Sequence, residues 1–197
     1  STSTSSSDRG RYDSVAARII PLADLPTCVR GRFARLIWRW ERAEYGAEQC
    51  RELAAIHGRG RRNAGALLCA VRHGRLLGYA DLMPMSARHY DCLRLGRIVE
   101  EQLPACWTAR PSWVRGSRWY IAGLVVAAEL RRSRPQLAHA VSRDLQQCIW
   151  ATIAQHGHFP ARTLGVSATE VGAAKFRQTG FEPVTAAADA IDHRPRF

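Results

Sequence analysis

Lysine is almost absent from this chain of 197 residues, because Lys175 stands alone beside 28 arginines. The net charge is nevertheless +12. Arginine is always charged, and its planar fork suits carboxylates and phosphates. We therefore expect an acidic partner, which could be nucleic acid, a phosphorylated cofactor or an acidic carrier protein. The charge alone does not choose among these three.

Long apolar runs and closely paired cysteines are also missing. No stretch approaches the roughly 20 apolar residues that span a bilayer, and the first residues do not resemble a signal peptide. Six cysteines are scattered without a C-x-x-C pair, which favours small buried thiols over disulfides or zinc. We therefore expect a cytoplasmic protein with no metal site.

The length predicts a single domain over residues 14–197, after a serine-rich, disordered lead over residues 1–13. Periodicity predicts a first strand over 15–22, a helix over 27–40 and a second amphipathic segment over 47–56. A glycine-basic linker is predicted over 57–62, and a hairpin over 64–83 that turns at 72–75. A short helix over 93–103 and a long loop ending near Gly116 are expected next.

The centre of the chain combines a buried strand, a basic turn and a long helix. The run from Trp119 to Ala128 predicts the strand, and a helical pattern follows from Pro135 to Gly157. Ser133 is the expected N-cap of that helix. Three arginines occupy the turn, and they adjoin a helix N-terminus that attracts anions. The arginines are Arg131, Arg132 and Arg134. This arrangement fits a pyrophosphate or phosphopantetheine site, and it equally fits a solvated basic connection.

The end of the chain carries the most specific motif. A strand is predicted over 162–167 and a helix over 171–179, closed by Gly180 before Phe181, whereas the tail over 186–197 has little signal. The element order and the segment TEVGAAKFRQTGFEP resemble the GNAT superfamily of N-acyltransferases over residues 15–184. The resemblance implies an α/β (α+β) fold with a mixed, mostly antiparallel central sheet flanked by helices. It also implies acyl transfer from an acyl-CoA or an acyl carrier protein to an amine, and a bacterial type of enzyme.

The resemblance also assigns site residues. The family polarises the thioester carbonyl with a backbone N–H of a central strand, which falls here on Leu124, Val125 and Val126. Its cofactor turn falls on Arg131, Arg132 and Arg134, although both of the turn's glycines are replaced. Phe176 occupies the place of a tyrosine that is often the general acid, so it can pack on the thioester but cannot donate a proton.

One branch of the superfamily, the acyl-homoserine-lactone synthases and related N-acyl amino acid synthases, tolerates such a turn and takes long acyl chains from acyl carrier protein. The segments Gly78–Pro84 and Trp119–Val126 resemble its strands, with Tyr120 in the place of an acidic residue proposed as the base. Tyr120 is thus a candidate proton relay, and Ser167 a candidate to position pantetheine or protonate sulfur. A buried structural tyrosine and an ordinary bonded hydroxyl are the alternatives.

Two functions follow from these patterns. The first is an N-acyltransferase acting on a small molecule or a protein. The second is a catalytically degenerate GNAT-like module that binds nucleic acid through Arg59–Arg62 and exposed helix arginines. The sequence leaves open the acyl chain, the acceptor amine, the choice between CoA and carrier protein, and the oligomeric state.

Overall fold

The computed structural model describes residues 16–47, 52–100, 103, 118–156, 161–167, 170–185, 189–190 and 194–197. Within these residues, five strands form one sheet in the order β1-β2-β3-β4-β5. The strands are β1 (Arg18–Pro21), β2 (Leu67–Arg72), β3 (Arg75–Pro84), β4 (Arg118–Val126) and β5 (Arg162–Gly165). The helices are α1 (Thr27–Tyr45), α2 (Leu53–Arg62), α3 (Ala87–Arg94), α4 (Ala128–Ser133), α5 (Pro135–His156) and α6 (Glu170–Gln178).

The sheet is mixed and mostly antiparallel, as predicted. Strands β1 to β4 pair antiparallel with their neighbours, and only β4 and β5 run parallel. The predicted hairpin is confirmed: β2 and β3 are joined by His73 (φ 49°) and Gly74 (φ 68°). Two successive positive φ angles match the right-handed twist of the flanking strands, which favours this tight turn.

Helices cover both faces of the sheet. On one face, α5 buries side chains at helical spacing against the inner strands; they are Ala138, Val141, Leu145, Ile149 and Ile153. On the other face, α1 buries Phe33 and Ile37 beside Tyr79 of β3. Both helices were predicted from the helical spacing of their apolar residues, and α1 extends five residues beyond the predicted end.

The Gly180-Phe181 pair determines how helix α6 ends. Gly180 has a φ of 85°, which suits glycine, and its N–H donates to the carbonyl of Arg177 at 3.1 Å. The N–H of Phe181 donates to the carbonyl of Phe176 at 3.0 Å, and the two rings meet edge to face with centroids 5.0 Å apart. This pair of bonds is a Schellman motif with its hydrophobic contact. It fixes two aromatic rings at the end of α6.

Several local predictions were wrong. The glycine-basic segment 57–62 is not a linker, because it completes α2. The short helix before Gly116 is Ala87–Arg94 rather than 93–103, and it begins at Ser86, whose hydroxyl accepts the N–H of His89. Ser133 does not cap α5: it is the last residue of α4, and its hydroxyl donates to the carbonyl of Glu129 at 2.8 Å.

The tail, which carried little signal, packs against β5. Phe197 exchanges two backbone hydrogen bonds with Gly165, at 2.8 and 2.9 Å. The side chain of Arg196 is fully buried, and its Nε donates to the carbonyl of Leu93 at 3.1 Å. Since the bond between Arg196 and Leu93 joins residues 103 positions apart in sequence, local patterns do not reveal it.

Some predictions fall outside the described residues. They are the disordered lead over 1–13, the loop over 104–117 and the terminal role of Gly157. Among the helices that the structure does describe, none is long and apolar enough to cross a membrane.

Candidate functional site

The two parallel strands separate part-way along the sheet. Pairing between β4 and β5 runs from Arg118 opposite Arg162 to Ile121 opposite Gly165, whereas β4 continues to Val126. On its other side, β4 carries a bulge: Leu82 faces Ile121 and Asp81 faces Gly123, so Ala122 is the extra residue. A bulge bends its strand and increases the local twist. It therefore accounts for the departure of β4 from β5 at this point.

A cavity of about 170 Å³ occupies the gap between the strands. Residues from both faces of the sheet line it, so the opening runs through the sheet. From the α1 side come Glu41, Tyr45 and Glu100, and from the α5 and α6 side come Gln146, Ile149, Trp150, Gly172, Lys175, Phe176, Thr179 and Phe181. The strands themselves contribute Ile121, Ala122, Gly123, Leu124, Val166 and Ser167, and the tail contributes Arg194.

Backbone groups of β4 point into the gap. The N–H of Ala127 donates to the carbonyl of Leu77 at 2.9 Å. Because hydrogen bonds alternate along an antiparallel ladder, Val125 also bonds towards β3, and Leu124 and Val126 turn their N–H and C=O groups to the opposite edge. That edge is the one that β5 leaves. Of the three predicted backbone donors, Leu124 and Val126 are thus oriented towards the gap and Val125 is not.

A buried carboxylate enters the cavity from α1. Glu41 is only 3% exposed, and it accepts a hydrogen bond of 3.1 Å from the hydroxyl of Tyr79. Tyr79 is itself buried on β3 and stacks on Trp40, with ring centroids 6.5 Å apart. The bond supplies part of the polar environment that a buried carboxylate needs. Sequence reasoning missed Glu41, since it sits on the apolar side of an amphipathic helix.

A second carboxylate is held in the same way. The hydroxyl of Tyr120, fully buried on β4, donates to Oε2 of Glu100 at 2.8 Å. Glu100 lines the cavity and Tyr120 does not, so Tyr120 lies behind a carboxylate. Glu100 could not be predicted as a site residue from the sequence. The segment after α3 has no regular periodicity, and the hydrogen-bond partner Tyr120 lies 20 residues away.

Aromatic rings form the opposite side of the cavity. Phe176 contacts Phe181 and stacks on Phe197 at a centroid distance of 5.4 Å, and Phe181 also contacts the exposed Trp150 at 6.0 Å. Gly165 makes room for this cluster, since a Cβ there would lie 2.2 Å from Cζ of Phe176. Phe176 therefore lies at the cavity, against the backbone of β5.

Further polar groups of the cavity lie near the end of β5, on α6 and in the tail. Ser167 is 4% exposed, and its backbone N–H donates to the carbonyl of Pro195 at 3.3 Å. Lys175 and Arg194 also line the cavity. Of the described residues, the lining thus contains two carboxylates and two cationic side chains. Ser167 lies between the strands and the tail.

The three arginines of the predicted basic turn do not line the cavity. The turn is instead the end of α4, and Arg131 donates two hydrogen bonds to Glu44 of α1, at 3.2 and 2.7 Å. This bond to Glu44 raises the pKa of the Arg131 guanidinium. Arg132 and Arg134 are exposed at the junction of α4 and α5. Arg131 therefore ties α4 to the end of α1.

Other reactive groups lie away from this gap. Burial raises the pKa of the Cys69 thiol to about 12, so it stays protonated in the core. A second cavity of about 430 Å³, lined by residues such as Thr27, Arg30 and His57, includes no residue of β4 or β5. Among the described residues, no cluster of His, Cys, Asp or Glu could hold a metal ion.

Solved structures share this architecture. Ard1 from Thermoplasma volcanium superposes with a TM-score of 0.58 at 11% identity, over 92% of this chain and 94% of that one. The chain has the GNAT fold. The CoA-dependent acyl-homoserine lactone synthase BjaI matches this GNAT fold with a TM-score of 0.52 at 15% identity, over 92% and 80% of the two chains. A structure from Corynebacterium glutamicum, described as histone acetyltransferase HPA2 and related acetyltransferase, matches with a TM-score of 0.50 at 12% identity. The match covers 86% of this chain and 87% of that one.

Comparison of the sequence with known families and proteins gives a different result. No protein-family model matches the chain, and no curated protein matches it significantly. At identities of 11 to 15%, the structural likeness establishes the fold alone. Function must therefore be argued from the residues of the cavity.

Proposed function

We propose that this protein transfers an acyl group from a thioester to an amine within the gap between β4 and β5. The observation that carries the proposal is the two-sided lining of the cavity. One side presents carboxylates held by tyrosines, and the other presents aromatic rings. Acyl transfer needs a proton acceptor near the amine and an apolar site near the thioester, and this GNAT-fold cavity supplies both.

The thioester enters from the side of α5 and α6. Trp150, Phe176 and Phe181 give its acyl chain and pantetheine arm apolar contact area, and Ser167 lies where it can bond the arm or the sulfur. The N–H groups of Leu124 and Val126 are the candidate donors to the carbonyl oxygen. Such fixed donors stabilise the negative charge that develops on this oxygen in the transition state.

The amine enters from the side of α1. Its nitrogen attacks the carbonyl carbon, the new C–N bond forms, the C–S bond breaks, and the thiolate leaves. Glu100 is placed to take the proton that the amine loses, and Tyr120 holds the Glu100 carboxylate through its hydroxyl. Tyr120 is thus a positioning residue here, and Ser167 or water returns a proton to the thiolate because Phe176 cannot.

The acyl donor could be free acyl-CoA or an acyl carrier protein. Arg131 is bonded to Glu44, and Pro135 removes one N–H from the start of α5, so the usual cradle for a free cofactor's pyrophosphate is reduced. Arg132 and Arg134 remain exposed near the end of β4. We favour an acyl carrier protein over free acyl-CoA, and a bacterial cytoplasmic setting.

A noncatalytic binding module is the alternative. The replaced glycines and Phe176 favour it, whereas two tyrosine-held carboxylates in a cavity between parted strands favour an enzyme. A module would need no such carboxylates at the strand gap, so the enzyme remains our conclusion.

The test is a thermal unfolding series with acetyl-CoA, medium- and long-chain acyl-CoAs and acylated carrier protein, together with an assay of free thiol release over a panel of amines. A ligand that binds only the folded state stabilises it by about 2.7 kcal/mol at a hundredfold excess over its Kd. We expect a shift that depends on chain length, and amine-dependent thiol release. Flat unfolding curves for every donor would contradict the proposal.

A further inference from the structure

The exposed face of α1 carries a row of arginines. Arg32, Arg35, Arg39 and Arg42 are all exposed, at spacings of three, four and three residues. At 3.6 residues per turn these positions fall within an arc of about 80°, and they extend over about 15 Å of the helix axis. The buried side chains of α1 lie on the opposite face. We call these four residues the α1 arginine row.

The basic surface continues beyond one end of the row. At one end, Arg32 donates to the carbonyl of Gly74 at 3.0 Å, which places the β2–β3 turn and the exposed Arg75 beside it. At the other end, Arg131 of α4 is paired with the Glu44 carboxylate, so its charge is compensated. The basic surface therefore consists of the row and the adjacent β2–β3 turn.

Acidic residues do not neutralise the row. The exposed acids nearest in sequence are Asp24, which precedes α1, and Glu44, which is engaged by Arg131. Within the described part of the chain, Arg35, Arg39 and Arg42 form no ion pair. Arg42 instead lies 4.9 Å from the ring centroid of Trp38. Among the described residues, the row is thus a concentrated positive surface without paired acids.

The chemistry of the row favours phosphates over an acidic protein. Apart from the arginines, the fully exposed residues on this side of α1 are Cys28 and Ala43, whereas the neighbouring Leu36 and Trp38 are partly buried against the core, so the row offers no protruding apolar anchor. Specific protein interfaces have an aromatic or aliphatic centre that excludes water. A nucleic acid backbone needs none, because guanidinium groups pair with phosphate oxygens at successive charges.

We propose that the α1 arginine row binds the phosphodiester backbone of a nucleic acid, without reading base sequence. This activity goes beyond acyl transfer and does not depend on it. The row lies outside the cavity, since only Glu41 and Tyr45 of α1 line the strand gap. Both activities can therefore occur in one molecule.

The test compares two variants of equal charge. One carries Arg35→Gln, Arg39→Gln and Arg42→Gln, and the control carries Arg88→Gln, Arg97→Gln and Arg143→Gln, which are exposed residues on or after α3 and on α5. Binding of labelled mixed-sequence RNA and of duplex DNA is measured by fluorescence anisotropy over a range of salt concentrations. Thermal unfolding of each variant shows whether it remains folded.

We expect salt-dependent binding by the unmodified protein with similar affinity for unrelated sequences. Each phosphate contact contributes about 0.9 to the slope of log K against log salt, so the α1 variant should lower the slope by about 3 and weaken binding at least about 30-fold near 100 mM salt. The control should change the slope by less than about 1.

Three results would overturn the inference. The first is no nucleic acid binding at low salt. The second is an equal loss in both variants, which would mean that only net charge matters. The third is equally tight binding of polyglutamate, which would identify a general surface for acidic polypeptides. If only RNA or only DNA binds, the inference stands and the backbone is identified.

Discussion

The two sides of the cavity are built by different means. On the α1 side, each carboxylate is held by a tyrosine hydroxyl from the sheet, Tyr79 for Glu41 and Tyr120 for Glu100. On the α6 side, the Schellman motif and Gly165 hold a cluster of rings around Phe176. The first side depends on hydrogen bonds between residues distant in sequence, and the second on a local motif and close packing. Substitutions on the α1 side should therefore mainly reduce activity, and substitutions on the α6 side should mainly reduce stability.

The largest effect should come from Glu100→Gln. The amide retains an oxygen that can accept the Tyr120 hydroxyl, but it is far less basic than a carboxylate. We expect kcat/KM to fall by about 10²-fold or more, as for loss of a general base, with little change in Tm.

Glu52→Gln is the matched control, because Glu52 is exposed and lies outside the cavity. It should retain full activity. If E100Q keeps wild-type kcat/KM, the proton passes elsewhere and the role of Glu100 is wrong.

Gly165→Ala should give the largest loss of stability. Its Cβ would lie 2.2 Å from Cζ and 2.3 Å from Cε1 of Phe176, so the ring must move. Such overpacking costs about 1–3 kcal/mol in the free energy of unfolding, which denaturant titration would measure.

The comparison is Gly123→Ala on β4, where the nearest heavy atoms lie at 3.7 Å, an ordinary contact. We expect it to cost less. Equal costs for the two variants would show that the contact between Gly165 and Phe176 does not decide the packing of this side.

The two tyrosine–carboxylate pairs should differ in stability. Tyr79→Phe removes a hydrogen bond to a carboxylate that is only 3% exposed, and the loss should cost about 1–3 kcal/mol. Tyr120→Phe affects the more accessible Glu100, so its cost should be smaller and its effect on kcat larger. Chemical unfolding and steady-state kinetics on both variants test this difference, and the reverse order would contradict it.

The smallest effect should come from Arg131→Ala. The ion pair with Glu44 is partly exposed, with side chains 46% and 31% accessible, so we expect a loss of about 0–1 kcal/mol. Donor affinity should change little, because Arg131 is bonded to Glu44 rather than directed at the cavity. A tenfold rise in donor Kd, absent in Arg88→Ala, would instead restore Arg131 as a phosphate ligand.

The elements with strong local signals were predicted well. Alternating or continuous apolar residues located β2, β3 and β4, helical spacing located α1 and α5, and Gly180-Phe181 located the end of α6. The segment 57–62 was predicted to be a linker because it contains two glycines and several basic residues. The structure instead continues α2 through it. The bond of Arg131 to Glu44 was not predicted from the sequence, because the two residues lie 87 positions apart.

The sequence by itself determined the element order, the mixed sheet and the placement of Phe176 beside a Gly-Phe pair, because these depend on periodicity and on local turn chemistry. Only the tertiary structure brought Glu41 and Glu100 to one cavity and assigned each a tyrosine. Only it showed that the strands part beside the bulge at Ala122. The physical reason is that an isolated carboxylate has no periodic signature: its burial and its partners are set by strand register and by contacts between distant segments.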